Sequence, residues 1–480
     1  MASLKDKTAS GLLWGAVNNG LTQVLNIAFG IFLARLLSPS DYGLVGMITI
    51  FTAIAGTIQE SGFTSAIANK RDVKASDYDS LFWFSALMSL LLFTMLTLSA
   101  PLIAAYFRHP ELIELSRVVF FTIPLSAIGV APSAYMFKNM MVKEGTQLRV
   151  AALTASGTVG VAMAMHGWAY WSLVSQQLTY VFITSTGKYF IVPWRPSMKI
   201  DFTPVRQMFG YSCKIMLTTI INTVNQNILT VVFGRLFPAR SVGEFTQANK
   251  WSTMGSALIS GTTAQVMQPV FASVNDDDAR QVGVVRKMMR FSAFLTFPVM
   301  FGLLIISHDF IVITLSGKWL GSVSLLQILC IGGAMSPIQQ TLQTVIVSHN
   351  RSDLYMWITI AQVAIQLAIV VAFASFGIKF MVTAYVTFNV LWIGIWHIYA
   401  SRIISLKMAD TLKDILPFVF IAAVTMGVTW LSTEWIGLME VRMCSRIIVA
   451  AVLYYAAMRL SHAHIMEECI GYLLHKRRKD

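Results

Sequence analysis

The sequence predicts an all-α polytopic membrane protein with about fourteen transmembrane helices, and three observations carry that prediction. Of the 480 residues, 12% are charged and 56% hydrophobic, and the mean hydropathy is +0.65. A soluble chain carries roughly 25% charged residues. Apolar stretches also follow one another with polar breaks of only a few residues. Third, lysines and arginines collect in those breaks, where a membrane protein keeps its cytoplasmic loops.

Each element follows from the length needed to cross a hydrocarbon core of ~30 Å, about 20 helical residues. The polar start MASLKDKTAS shows no cleavable signal, so the first span is expected to direct insertion. Spans are predicted near 11–35, 42–64, 79–105, 115–137, 147–165 and 168–192. A polar, proline-containing linker follows (WRPSMKIDFTP, 194–204). Six more spans run near 208–234, 243–271, 288–307, 321–346, 354–376 and 379–401, and a last pair near 414–433 and 443–459. The expected organisation is a six-helix bundle over 1–198, a second over 199–405, and an appended pair with a basic tail over 406–480. An even number of spans puts both termini on one side. With the N-terminus cytoplasmic, inner segments outnumber outer ones in Lys and Arg by roughly three to one, so both termini are expected in the cytoplasm.

Two six-span halves of equal orientation make a parallel repeat. At an offset of 200, ARLLSPSDYG (34–43) pairs with GRLFPARSVG (234–243), matching Arg35 to Arg235, Leu36 to Leu236 and Gly43 to Gly243.

Polar groups in hydrocarbon need partners or a wet cavity, so they are the functional candidates. Asn19, Gln23 and Asn26 recur at i, i+4 and i+7 in the first span. In the seventh, Lys214, Thr218, Asn222 and Asn225 fall within an arc of about 80°. Gln247, Lys250, Gly261, Gln265 and Gln268 share one face of the eighth, and the tenth adds Gln339, Gln340 and Gln343. Two readings stand side by side: amides as interhelical glue, or a shared hydrated cavity. Lys214 and Lys250 lie near span ends, where snorkelling is the alternative to a cavity role. Glu60, the most deeply placed acid, either binds a coupling ion or pairs with a cytoplasmic lysine.

Several chemistries lack their motifs. The net charge of +13 is scattered between spans rather than gathered on one face, which excludes nucleic acid. There is no Walker loop, no metal-ligand spacing and no nucleophile–base pattern, so neither an enzyme nor a cofactor is expected. The cysteines (Cys213, Cys330, Cys444, Cys469) are far apart and read as apolar filler. NDDDAR (275–280) reads as a turn and helix start, where acids suit the positive helix end.

Several segments resemble the polysaccharide-exporter branch of the multidrug/oligosaccharidyl-lipid/polysaccharide flippase superfamily, the Wzx-like group that includes colanic-acid exporters. They are ARLLSPSDYGLVGM (34–47), HPELIELSRV (109–118), HGWAYWSLVSQQL (166–178), KWLGSVSLLQIL (318–329) and the NRSD turn (350–353). That resemblance implies two six-helix bundles around a central cavity with alternating access in a bacterial inner membrane. It implies an undecaprenyl-diphosphate-linked oligosaccharide as substrate, carried to the periplasmic leaflet. Membrane lipids, and the polysaccharide polymerase and glycosyltransferases of the same pathway, are the implied partners. Related flippases line the cavity with basic residues; Lys214 and Lys250, with Arg35, Arg117 and Arg235 near the outer ends, are the candidates here. Glu60, Ser61 and Gly62 match the family's span-2 acid-x-Gly pattern. Drug-exporting relatives carry an acid in the first span, whereas this chain has Asn18 and Asn19 and no acid between residues 8 and 40. A cation-coupled drug antiporter of the same fold is therefore the second reading. A membrane polymerase or ligase is the third, against which the short external loops count.

Overall fold

The structure, a computed structural model, describes residues 4–60, 67, 70, 72–198, 201–273, 278–349 and 351–461. By packing, it divides into two compact units, residues 1–243 and 244–480.

The first unit holds α1 (Leu4–Leu36), α2 (Pro39–Glu60), α3 (Ala75–Phe107) and a broken span of three pieces, α4 (Leu112–Phe120), α5 (Thr122–Ile128) and α6 (Val130–Lys138). It continues with α7 (Val142–Met165), α8 (Trp171–Ile191), α9 (Thr203–Leu236) and the first residues of α10 (Ala239–Ser273). The broken span bends by 42° between its α4–α5 part and α6. Pro132 explains the break: it lacks the N–H that would bond one turn back, and Gly129 sits at the junction.

Small residues let these helices approach, as lipid-embedded helices require. A Cβ on Gly157 of α7 would strike the Phe29 ring of α1, and one on Gly160 would lie 3.0 Å from Gln176 Cβ of α8. The turn between α7 and α8 needs Gly167, whose φ is +80°. The start of α2 is fixed locally. Ser38 donates from N and Oγ to Asp41 Oδ2 (2.8 and 2.6 Å), and Asp41 N donates back to Ser38 Oγ at 3.3 Å. With Pro39 opening the helix, this is a capping box carried by the SPSD segment.

The linker over 194–204 is anchored rather than loose. Asp79 of α3 accepts from Trp194 Nε1 (3.1 Å), Ser197 N (3.2 Å) and Ser197 Oγ (2.6 Å), while Trp83 Nε1 donates to Ser197 O at 2.8 Å. Ser80 Oγ donates to the carbonyl of Asp201. Trp194 joins Tyr78, Leu81, Val130 and Val205 in a buried cluster.

The second unit contains the rest of α10, then α11 (Asp278–Leu315), α12 (Gly321–Ser348), α13 (Ser352–Ala372), α14 (Ile378–Ile404), α15 (Met408–Thr433) and α16 (Met439–Leu460). Trp319, in the turn before α12, is fully buried, and Ser322 Oγ donates to Glu244 O at 2.9 Å. Amides join α13 to α14: Gln362 and Gln366 donate to Asn389 Oδ1 at 2.7 and 2.6 Å, and Trp396 Nε1 donates to Gln362 at 3.3 Å.

Among the described residues, 10 helices are long and apolar enough to cross a membrane, or 11 with the bent span counted as one. The chain is thus an all-helical, multi-pass membrane protein. Helices also occupy the three remaining predicted positions, as α1, α8 and α10, and the described part of α1 includes a shorter apolar stretch, Gly20–Leu36.

Candidate functional site

The polar residues expected to act are distributed over both units, and each unit is described by itself. In the first, Gln23 and Asn26 are half-buried on α1. Asn222 and Asn225 are half-buried on α9, and the buried Asn225 Oδ1 has no hydrogen-bond partner. Thr223, between them, meets Thr57 of α2 at 3.2 Å and donates to Thr219 O at 2.8 Å. The middle of α9 thus carries a run of amides and hydroxyls beside α2, able to exchange hydrogen bonds with a polyhydroxylated ligand.

The three arginine candidates differ in their surroundings. Arg35, at the end of α1, and Arg117, on α4, are exposed. Arg235 is committed to its own unit: Nη1 donates to Tyr106 O at 2.5 Å, and the guanidinium stands 5.4 Å from the Tyr106 ring centre. That pairing ties α9 to the end of α3.

In the second unit, Gln247 is fully buried with neither amide atom hydrogen-bonded, and the Trp251 indole N–H one turn on is also unpartnered. Lys250 is half-buried on the same stretch of α10, Gln343 is half-buried on α12, and Gln340 is exposed. The side chains of Asn19, Glu60, Lys214, Gln265 and Gln268 lie outside the described residues. Gln59, next to Glu60, is described: its Nε2 donates to Ile123 O at 3.0 Å, and its Oε1 accepts from Ser126 Oγ at 2.7 Å. The end of α2 is thereby fastened to α5.

The sequence reading missed an ionic cluster in the second unit. Asp309 of α11, fully buried, accepts from Arg442 Nη2 at 2.5 Å and Nε at 2.8 Å, and from Arg446 Nη1 at 3.3 Å. Arg446, 4% exposed, also donates to Ile305 O (3.0 Å), Thr433 Oγ1 (3.2 Å) and Glu434 Oε2 (2.5 Å). Two acids and two arginines leave no net charge, as burial requires. A second cluster joins Arg286 of α11 to Asp414 of α15 at 2.6 Å, with Asp410 at 3.8 Å. Residues 286 and 309 stand about 35 Å apart at 1.5 Å per residue, close to the membrane thickness. Arg286, Asp410, Glu434 and Arg442 fall outside the predicted spans and look like loop charges in sequence; the signal was Arg446 inside the span predicted near 443–459, with Asp309 two residues beyond the one near 288–307.

The fold defines a multi-pass, all-helical membrane protein with polar groups on its apolar helices. The comparisons agree: over 95% of this chain and 100% of the other, the fold matches a solved structure of the lipid II flippase MurJ in an inward closed conformation, with a TM-score of 0.78 at 12% identity. The chain belongs to the polysaccharide biosynthesis protein family, which matches residues 32–324. It is 24% identical over 471 residues to the teichuronic acid biosynthesis protein TuaB of Bacillus subtilis, covering 95% of each chain. It is 21% identical to the lipopolysaccharide biosynthesis protein WzxC of Escherichia coli, over 73% of this chain and 72% of the relative.

Proposed function

We propose that this protein moves an undecaprenyl-diphosphate-linked oligosaccharide from the cytoplasmic to the periplasmic leaflet of a bacterial inner membrane, by alternating access. The carrying observation is the family match over 32–324, joined to a flippase-like fold over nearly the whole chain. In this reading fourteen helices cross the membrane, as bundles 1–198 and 199–405 and an appended pair 406–480, with both termini cytoplasmic. The repeat at 34–43 and 234–243 supports two equivalent halves.

The chemistry follows from the cargo. Its sugar hydroxyls and its diphosphate do not enter hydrocarbon unaided. The amides Asn19, Gln23, Asn26, Asn222, Asn225, Gln247, Gln265, Gln268, Gln340 and Gln343 replace water around the sugar. Lys214 and Lys250 draw in the diphosphate by charge-assisted hydrogen bonds. Arg35, Arg117 and Arg235 act near the outer ends, and Glu60 is the candidate for ion coupling. The unsatisfied amide of buried Gln247 favours this reading over simple glue, because a structural amide has its partners in place.

Deletion of the gene followed by leaflet-resolved analysis of lipid-linked oligosaccharides tests the proposal. The expected result is accumulation on the cytoplasmic side; an unchanged leaflet distribution overturns it.

A further inference from the structure

A groove of about 650 Å³ runs between α3 and the start of α9 in the first unit. On α3 its wall is Phe84, Leu87, Met88 and Leu91, spaced i, i+3, i+4 and i+7, so one helical face supplies it. On α9, Arg206 and Gly210 face it. The two helices run in the same direction from a shared end, where Ser80 Oγ donates to the carbonyl of Asp201. A Cβ on Gly210 would meet nothing within 4 Å, so the glycine leaves the groove open at that point.

The wall faces outward: Leu87 and Leu91 are 54% and 62% exposed. From Phe84 to Leu91 the helix rises about 10 Å, a third of the ~30 Å that a partner's spanning helix would cover. The groove therefore suits a single hydrocarbon chain rather than a further helix.

Arg206 is the charged residue of this otherwise apolar lining, and it stands exposed. Among the described residues its guanidinium has no hydrogen bond, ion pair or ring contact. Asp201, the nearest acid in sequence, is engaged at the helix start, where its Oδ1 accepts from Thr203 N at 2.9 Å. An arginine on an apolar wall lays its stem along that wall and carries its charge to the level of the headgroups. Its planar fork matches two oxygens of a phosphate.

We infer that this groove seats one acyl chain of an anionic glycerophospholipid, with the phosphodiester on Arg206. One cation matches the single charge of a phosphodiester, whereas the diphosphate of the proposed cargo brings more than one. The site does not rest on the transport reading, so an unchanged leaflet distribution after gene deletion leaves it standing.

The test uses full-length protein in detergent, read by native mass spectrometry. It is titrated with phosphatidylglycerol or with phosphatidylcholine, whose choline offsets the phosphate charge. Phosphatidylglycerol is expected to saturate and to be retained over phosphatidylcholine. Arg206→Gln should weaken its binding about fivefold. Lys407→Gln, the same charge change on an exposed lysine of the second unit, should not. Gly210→Leu fills the groove from a position with room for the side chain and favours the helix. It should lower retention at least as much, with normal elution in size-exclusion chromatography. Leu91→Trp takes its place if Gly210→Leu disturbs folding, because position 91 is already exposed. Equal retention of the two lipids overturns the site, as does unchanged retention in Arg206→Gln or in the groove-filling variant. Displacement of phosphatidylglycerol by an equal concentration of undecaprenyl phosphate also overturns it, and assigns the groove to the tail of the cargo.

Discussion

Asp309 holds a negative charge with no solvent access, and its two arginine partners come from a helix more than a hundred residues further on. Removing one member of such a cluster leaves an uncompensated charge, which costs about 3–5 kcal/mol. Asp309→Ala is therefore expected to lower the unfolding temperature in detergent sharply. A triple variant adding Arg442→Met and Arg446→Met should recover much of the loss, since the stranded cations are then gone. Glu434 is 54% exposed, so Glu434→Gln should change stability little. A different residue-scale test addresses transport. Lys214→Gln with Lys250→Gln should reduce export at normal protein abundance, because a lysine within a span is costly unless it meets water or an anion. Normal export by that double variant would make both lysines anchors at the span ends.

Helix crossings are governed by two glycines that occupy matching places in the sequence repeat. A Cβ on Gly43 would strike the carbonyl of Ala239, and one on Gly243 the carbonyl of Pro39. The two contacts are reciprocal, and each pair is related by the offset of 200 seen in the sequence. Gly43→Val or Gly243→Val should each force the starts of α2 and α10 apart and reduce folded protein in the membrane. Gly56→Ala, on the same α2 with nothing within 4 Å of the added carbon, should be tolerated. Fluorescence size-exclusion profiles of the variants check both expectations. The crossing also explains why ARLLSPSDYG is recognisable. Its local chemistry is a capping box and a close backbone contact. KWLGSVSL has a similar role, burying Trp319 and placing Gly321 against the Glu244 carboxylate.

Across the whole molecule, topology is the property most open to a direct check. Single cysteines at 143 and 479 should be shielded from an impermeant thiol reagent in intact cells, while those at 108 and 318 should react. The background must lack Cys213, Cys330, Cys444 and Cys469. Reaction at 143 from outside would invert the orientation. Energy use is a second molecular property: with no nucleotide motif in the chain, purified protein in liposomes should translocate its cargo without ATP. Strict dependence on ATP, with no partner present, would overturn the proposed nucleotide-independent transport.

Much of the fold was legible in hydropathy alone. A helix of about 20 apolar residues satisfies its own backbone in lipid, so composition and spacing locate each helix without knowledge of its neighbours. The family was legible for a related reason, because turns and caps depend on short local patterns such as SPSD and HGWAYW. The ionic clusters were not legible. Asp309, Arg442 and Arg446 are far apart in sequence, and no local rule says that α16 lies against α11. The same holds for Gln247, whose burial without partners depends on what packs around it. Local hydrophobicity dictates which segments enter the membrane, whereas long-range packing dictates which charges meet there. Coulomb and hydrogen-bond energies depend on distances that a linear pattern does not contain.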